Sequence, residues 1–386
     1  MTLLAAVGHA QALDGREAGL RAAHAALNRL GIASPQFGIV ISSYHYQARD
    51  VMSGVSSLVG DTPLIGFSTP AGLTQQGIHP HAVVVALLGG ELRAQAHWLP
   101  GYAQSGRETA SRLIQLTTGD SAHRSLLFFA DGFNGDAEQL CNHLTDLPLP
   151  AFGGLASGDV HSGNNYQMAG VHVGMGGLAA ALLRGPFKIG VGYAHGWEPV
   201  GSQFRITRSR GFWLRALDGR PASEIYAQIF GRPAREWAFP PLNYLVRLYP
   251  LGIDQGDQPL VRSPLRVEAD GSFRLNAPLR DGIDAFLMVG NRSACWNAAQ
   301  KAVQDALWQL ENARPVFALL LVDLAWQFLL KSSPSAEIAA VQEILGANLP
   351  IAGGYTLGQI APPASGVGMP QFLNQHLLVI LFGETK

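Results

Sequence analysis

Pro350-Ile-Ala-Gly-Gly-Tyr-Thr-Leu-Gly-Gln-Ile360 is the stretch that decides how the rest of the chain reads. A short apolar lead-in runs into paired glycines, a hydroxyl residue and a further glycine. Glycine alone lets a backbone approach another group with no Cβ in between. The stretch follows a helical pattern and precedes an apolar strand pattern, so its spacing predicts a strand and turn at the rim of a sheet. Two earlier stretches share its build, Pro63-Leu-Ile-Gly-Phe-Ser-Thr-Pro-Ala-Gly72 and Pro150-Ala-Phe-Gly-Gly-Leu-Ala-Ser-Gly158. In all three a glycine stands three residues after a proline, and a hydroxyl follows shortly.

Around each stretch the order helix, strand, helix, glycine turn, strand repeats. The first round predicts helices over 16–30 and 50–59, with Asp50 a candidate N-cap, and strands over 37–43 and 81–88. The second predicts helices over 108–116 and 136–144 and strands over 125–130 and 177–183. The third predicts helices over 294–310 and 336–345 and strands over 315–322 and 377–382. Unequal spacing excludes a solenoid. The fold class is therefore α/β, with three related helix-strand-helix-turn-strand layers. A β-rich insert over 187–290 precedes the last layer, with one helix near 221–230 and hairpin turns at Asp218-Gly219 and Asp270-Gly271. Two parts follow, 1–186 and 187–386, the second divided into 187–290 and 291–386. The Gly- and Pro-rich loop 362–370 suits a mobile lip over a site.

Of 386 residues 47% are hydrophobic and only 14% charged, so large cores and a buried interface between domains or subunits are expected, a homo-oligomer included. A formal net charge of -1 and the lack of a Lys/Arg-rich run argue against a nucleic-acid binder, with a local basic patch left open. Cys141 and Cys295 are too few for a disulfide framework and form no Cys-x-x-Cys pair. The N-terminus has no basic segment ahead of its apolar run, and the apolar run 316–326 is short and holds Asp323, so a cytoplasmic protein with no membrane span is expected. There is no phosphate-loop motif and no Gly-x-Ser-x-Gly elbow, and Gly190-Val-Gly192 lacks a third glycine, so no enzyme class is indicated. Cys141, inside a helical pattern, reads as a core residue.

Taken in order along the chain, these pieces resemble the FIST family of two-part sensory proteins. Gly66-Phe-Ser-Thr-Pro-Ala-Gly72 is similar to the family's Gly-Cys-Ser-Thr-x-Gly signature, and Gly153-Gly-Leu-Ala-Ser-Gly-Asp159 resembles its second glycine signature. Gly196-Trp-Glu-Pro-Val-Gly201, Thr207 and Leu217-Asp-Gly-Arg-Pro-Ala-Ser-Glu-Ile-Tyr226 resemble the junction into the C-terminal part. Gly353-Gly-Tyr-Thr-Leu-Gly-Gln-Ile360 resembles its closing Gly-Phe-Tyr-Thr-x-Gly-Glu-Ile, and Glu337 falls where that part carries an acid. The chain departs from the pattern at Phe67 (usually Cys), Gly354 (Phe) and Gln359 (Glu). It also lacks the Cys and Arg usual near Asp323 and Trp326. Those losses remove charged partners for a zwitterionic ligand, amino acids being the ligand class suggested for the family.

The resemblance implies an intracellular small-molecule sensor, without a cofactor, that passes its state to a partner such as a histidine kinase. Its ligand-binding residues would be Gly66, Ser68, Thr69, Asp131, Gly153, Gly154, Ser157, Gly353, Gly354, Tyr355, Thr356 and Gln359, gathered around the glycine turns. The same residues also suit ordinary turn chemistry, and Asp131 with Asn134 suits a turn or helix cap. Valine at Gly353 or Gly354 is expected to abolish binding and spare the fold. His79-Pro-His81 lacks a third metal ligand and reads as a surface turn. His195 is the alternative: some family members are haem-based nitric oxide sensors, and non-covalent haem needs one histidine and an apolar slot.

Overall fold

The computed structural model describes residues 3–117, 125–254, 259–363 and 368–385. The first layer is β1 (Leu3–Ala10), α1 (Gly15–Leu30), β2 (Pro35–Ser43), α2 (Ala48–Val59), β3 (Leu64–Thr69), β4 (Ala71–Thr74), β5 (Gly77–Pro80) and β6 (Val83–Gly90). The second is β7 (Arg93–Leu99), α3 (Gly106–Thr117), β8 (Ser125–Asp131), α4 (Ala137–Asn142), β9 (Ala151–Ala156), β10 (Gln167–Ala169), β11 (His172–Gly174) and β12 (Leu178–Arg184). β13 (Phe187–Ala194) opens the third layer, and the insert then interrupts it. The insert holds β14 (Trp197–Arg210), β15 (Trp213–Leu217), β16 (Arg220–Pro221), α5 (Ala222–Phe230), α6 (Leu242–Leu245), β17 (Leu251–Ile253), β18 (Leu260–Arg262), β19 (Pro264–Val267), β20 (Phe273–Leu275) and β21 (Asp284–Gly290). The third layer resumes with α7 (Arg292–Leu310), β22 (Arg314–Asp323), α8 (Leu324–Leu329), α9 (Ala336–Leu345), β23 (Ile351–Thr356), β24 (Gln359–Ala361), β25 (Gln371–Leu373) and β26 (Leu377–Glu384).

All three layers order their strands alike: β1-β6-β2-β3, β7-β12-β8-β9 and β13-β26-β22-β23. In each, the last pair is parallel and the others antiparallel. Each sheet is completed by another layer's hairpin. β10–β11 of the second layer adds to β3 of the first, β24–β25 of the third to β9 of the second, and β4–β5 of the first to β23 of the third. The exchange closes a ring, and it covers the parallel edge that each layer would otherwise expose.

The inner faces of the three sheets share one core, to which Phe37, Phe67, Phe129, Phe152, Phe317 and Phe382 contribute. Helices cover the outer faces. In the first and third layers they pack closely because small residues meet there. A Cβ on Gly8 would lie 2.2 Å from Ala22 O, and one on Gly192 would lie 1.9 Å from Ala302 O. Buried alanines line the facing sides of α1 and α7. The insert has its own core around Tyr226, Trp237 and Phe273. None of the described helices is long and apolar enough to cross a membrane.

The three prolines ahead of the glycine stretches mark equivalent points. Gly66, Gly153 and Gly353 each sit on a parallel edge strand where a Cβ would strike the carbonyl of the neighbouring strand: Val40 O at 2.1 Å, Phe128 O at 1.8 Å and Leu320 O at 2.3 Å. The group approaching each glycine is the protein's own backbone.

Several sequence expectations need correction. Each layer has a leading strand. Periodicity did not show the first two, and the third, 187–194, was expected as part of the insert but pairs with β26 in the third layer, so the β-rich insert begins at Trp197. Asp50 lies in the first turn of α2, whose N-cap is Gln47. Both Asp-Gly turns occur as expected: Asp218 and Gly219 have φ of 50° and 75°, and Gly271 has 79°. In the loop 362–370, residues 364–367 lie outside the described residues.

Alanine at Gly66 or Gly153 forces a methyl into a rigid carbonyl. Each substitution is expected to cost at least about 3 kcal/mol or to prevent folding, in a urea melt. Gly231→Ala, where a Cβ meets open space but φ is 65°, should cost on the order of 1 kcal/mol.

Candidate functional site

The ends of β3, β9 and β23 meet, and their polar groups bind one another. Ser68 Oγ donates to Ser157 O at 2.8 Å, and the Ser157 N–H donates to Ser68 O at 3.0 Å. Thr69 Oγ1 accepts from the Tyr355 N–H at 2.9 Å and donates toward Tyr355 O at 3.0 Å. Ser157 Oγ also donates to Tyr355 O. Leu155 and Leu357 add a backbone pair across the second and third layers. Thr356 Oγ1 reaches Val322 O and accepts from Gln359 Nε2 at 2.8 Å. Ser68, Thr69, Ser157, Thr356 and Gln359 are all fully buried.

The structure thus brings the predicted turn residues together as a knot joining three layers. The turn-chemistry reading accounts for their hydroxyls. Gly154 and Gly354 lie beside the knot, with Leu321 and Ile41 as their nearest side chains. Valine at Gly353 would collide with Leu320, so the expectation that it spares the fold is wrong. Asp131 turns away from solvent and closes the turn that follows β8. Its carboxylate accepts from the N–H groups of Phe133, Asn134 and Gly176 at 2.8–2.9 Å and from Asn165 Nδ2 at 3.0 Å.

His195 packs edge-on against His376 with centroids 4.8 Å apart, and its Nδ1 receives the Trp197 N–H. Burial lowers its pKa. His79 stacks on His9 at 3.8 Å and touches Thr74 Oγ1 at 2.8 Å; burial pushes its pKa down to about 4. Among the described residues no three metal-ligating side chains come together.

Two departures from the pattern that the sequence resembles lie side by side. Phe67 is fully buried against Phe129, ring centroids 4.4 Å apart, and its Cε2 lies 3.2 Å from where a Gly354 Cβ would be. The aromatic ring that the family pattern places at position 354 is supplied here from position 67. Phe67 thereby fills part of the space that a ring at position 354 would take.

Tyr355 connects the knot to an open cleft of about 270 Å³ between the third layer and the β4–β5 hairpin of the first. Ile78, Pro80, Leu330 and Pro334 form apolar walls, with Gln327, Lys331, Glu337 and Tyr355 as polar lining. Glu337, in the first turn of α9, is buried. The Tyr355 hydroxyl donates to its Oε1, and its Oε2 has no partner. Burial holds the Glu337 carboxyl above the ordinary glutamate pKa, the Tyr355 bond opposing the shift. Nearby Cys295 is buried, and burial with the Glu337 charge pushes its thiol up to about 12.

The list read from sequence omitted Glu337, Gln327 and Lys331. The acid had a signal in the family pattern; the other two had none. It also missed a charge from the insert. Buried Arg247, pushed down to about 10 by burial, faces the buried carboxyl of Asp323, which accepts from the Ala325 and Gln375 N–H groups at 3.0 Å.

The proximity of positions 67 and 354 makes a double-mutant cycle informative. Phe67→Cys should cost about 3 kcal/mol by leaving a cavity, and Gly354→Phe should destabilise by overpacking. The double variant should recover at least half of the summed loss in denaturant melts. The Glu337 carboxyl gives a pH signature. Above the ordinary glutamate pKa the unfolded chain releases a proton that the native protein still holds, so stability falls as pH rises through that window. Glu337→Gln removes this slope. Its melting temperature relative to wild type should rise from about pH 4 and level off above the native pKa.

Solved structures with weak likeness include a chorismatase, with 11% identity, TM-score 0.37 and 99% of both chains covered. Another is PurL of T. maritima complexed with FGAR, with 10% identity, TM-score 0.25, and 99% of this chain and 72% of that one covered. Neither score is high enough for a shared fold to follow. The uncharacterized protein MJ1623 of Methanocaldococcus jannaschii is 26% identical over 110 residues, 28% of this chain and 22% of that protein's length. The decisive matches are to family models: the FIST N domain over residues 36–220 and the FIST C domain over 222–362. The chain belongs to the FIST family, whose domains are small-ligand sensory domains of signal transduction.

Proposed function

We propose that this protein is a small-molecule sensor whose ligand sits in the Glu337–Tyr355 cleft, against the third glycine turn. The observation that carries this reading is the buried Glu337 oxygen, which lacks a partner at the wall of an open cleft. A buried acceptor left unpaired costs about 1–3 kcal/mol, and a ligand N–H or ammonium group toward which the Glu337 side chain turns would recover it. The apolar walls favour a compact amine with an aliphatic or aromatic body.

Tyr355 offers a route for the signal. Its side chain faces the ligand, while its backbone N–H and carbonyl are held by Thr69 of the first layer and Ser157 of the second. A ligand that prefers one position of Tyr355 biases all three layers, and a partner such as a histidine kinase would read that bias. The alternative reading is non-covalent haem held by His195, a partly buried imidazole whose Nδ1 accepts the Trp197 N–H.

Thermal-shift titration with benzylamine and n-butylamine tests the cleft. Saturable stabilisation is expected in wild type and should be at least about tenfold weaker in Glu337→Gln and in Tyr355→Phe. No shift with either amine would remove the assignment. A saturable Soret band on titration with haemin, lost in His195→Ala, would replace it with the haem reading.

A further inference from the structure

A second cleft, of about 330 Å³, lies where the β19–β20 hairpin of the insert meets the second-layer loops that follow β8, β9 and β11. Its charged lining is of one sign, Arg266 and Arg274, with Asn134 and Ser162 as polar neighbours and Phe133 and Met175 on the apolar side. We propose that this cleft is a binding site for a small organic oxyanion, a carboxylate or a phosphate ester, captured by Arg274. This inference is independent of the Glu337 cleft, which favours the opposite charge.

The acids near the cleft are committed elsewhere. The Asp131 carboxylate accepts from the N–H groups of Phe133, Asn134 and Gly176, from Asn165 Nδ2 and, at 3.3 Å, from Asn134 Nδ2, and so shapes the cleft wall without facing it. Asp159 accepts from the His161 N–H at 3.0 Å and from Ser162 Oγ at 2.7 Å. Asp270 accepts from the Ser272 N–H at 3.0 Å and from its hydroxyl. Glu268 is paired with Arg266 at 3.1 Å. Arg274 has no ion pair among the described residues. Its guanidinium stacks instead on Trp213, 4.4 Å from the ring centroid, and on Phe212 at 5.1 Å.

This arrangement suits recognition of an anion. Two aromatic faces hold a planar fork in place, so little side-chain entropy is lost when it binds an oxyanion through two donors. Burial and the charge of Arg266 disfavour the Arg274 cation, Glu268 offsets only part of this, and an anion in the cleft would offset the rest. Phe133 and Met175 would take the apolar body of the ligand, which separates this cleft from a surface arginine that merely attracts counterions.

Calorimetric titration of the full chain at low salt, with inorganic phosphate and with benzoate as probes, tests the site. At least one probe is expected to bind at one equivalent, and more weakly as salt is raised. Arg274→Ala should weaken that binding at least about tenfold, with Glu337→Gln leaving it unchanged. Preference for phosphate or for benzoate identifies which oxyanion the cleft takes. Should Arg274→Ala fail to fold, Arg266→Ala is read instead and should weaken binding about threefold or more. Absence of saturable binding by both probes, or wild-type affinity in a folded arginine variant, overturns the proposal.

Discussion

Backbone proximity at three glycines is the constraint on which the rest of this structure depends. At Gly66, Gly153 and Gly353 the carbonyl of the neighbouring strand occupies the space a Cβ would take. That approach draws the parallel strand pairs tight at equivalent points in all three layers. A few residues later the strand ends meet, and Ser68, Thr69 and Ser157 bind the backbone of another layer. With the hairpins exchanged around the ring, no layer has a complete sheet without its neighbours. Three modest sheets thereby share one apolar interior, and the chain has little need of surface charge to specify how they associate.

Much of this was legible in the sequence, but not all for the right reason. The recurrence of glycine three residues after proline located the equivalent strands correctly, because a backbone collision depends on local residue identity. The approaching group was misjudged: glycine signals a close neighbour without naming it, and here the neighbour is a strand carbonyl. The leading strands went differently. β1 was missed because it carries Gly8 where a helix must press against it, and that glycine interrupts the apolar run by which a strand is recognised. β13 was read as a strand but placed in the insert, because nothing local marks which sheet it joins. The exchanged hairpins were beyond reach, since Gln167–Ala169 and Gln359–Ala361 are three residues long and pair with partners distant in sequence. Of the candidate site, the hydroxyls and glycines were found; Arg247, Arg266 and Arg274 were not, because isolated arginines have no periodic signature.

The insert changes the electrostatics of the layers on which it packs. Near the glycine turns the three layers offer hydroxyls, amides and the buried acids Asp131, Asp323 and Glu337, and cations come largely from the insert. Arg247 faces Asp323, Arg262 pairs with Glu138 at 3.1 Å across the junction with α4, and Arg274 looks onto the second-layer loops. Sequence gave the impression that charged partners for a ligand were lost, since Gln359 replaces an acid and no arginine stands near Trp326. The structure shows that one cation, Arg247, reaches the neighbourhood of Asp323 from about eighty positions earlier in the chain.

The two clefts differ in how they connect to the knot, and that difference bears on how a bound state could be transmitted. Asp131 holds the wall of the Arg274 cleft through backbone N–H groups of one layer and its own loop, so an anion there would act chiefly on the boundary between the insert and the second layer. The Glu337 cleft ends on Tyr355, a single residue whose side chain is bonded to the acid and whose peptide is bonded to two other layers. Packed interiors resist continuous deformation, so a small displacement of that peptide must be absorbed by rearranging hydrogen bonds. Thr69 Oγ1 has a second acceptor, Ala71 O, at 2.9 Å. Its hydroxyl can therefore turn from the Tyr355 carbonyl to the first-layer strand that extends the third sheet. Under the proposed function, occupancy at Glu337 would bias that hydroxyl toward one of its two acceptors.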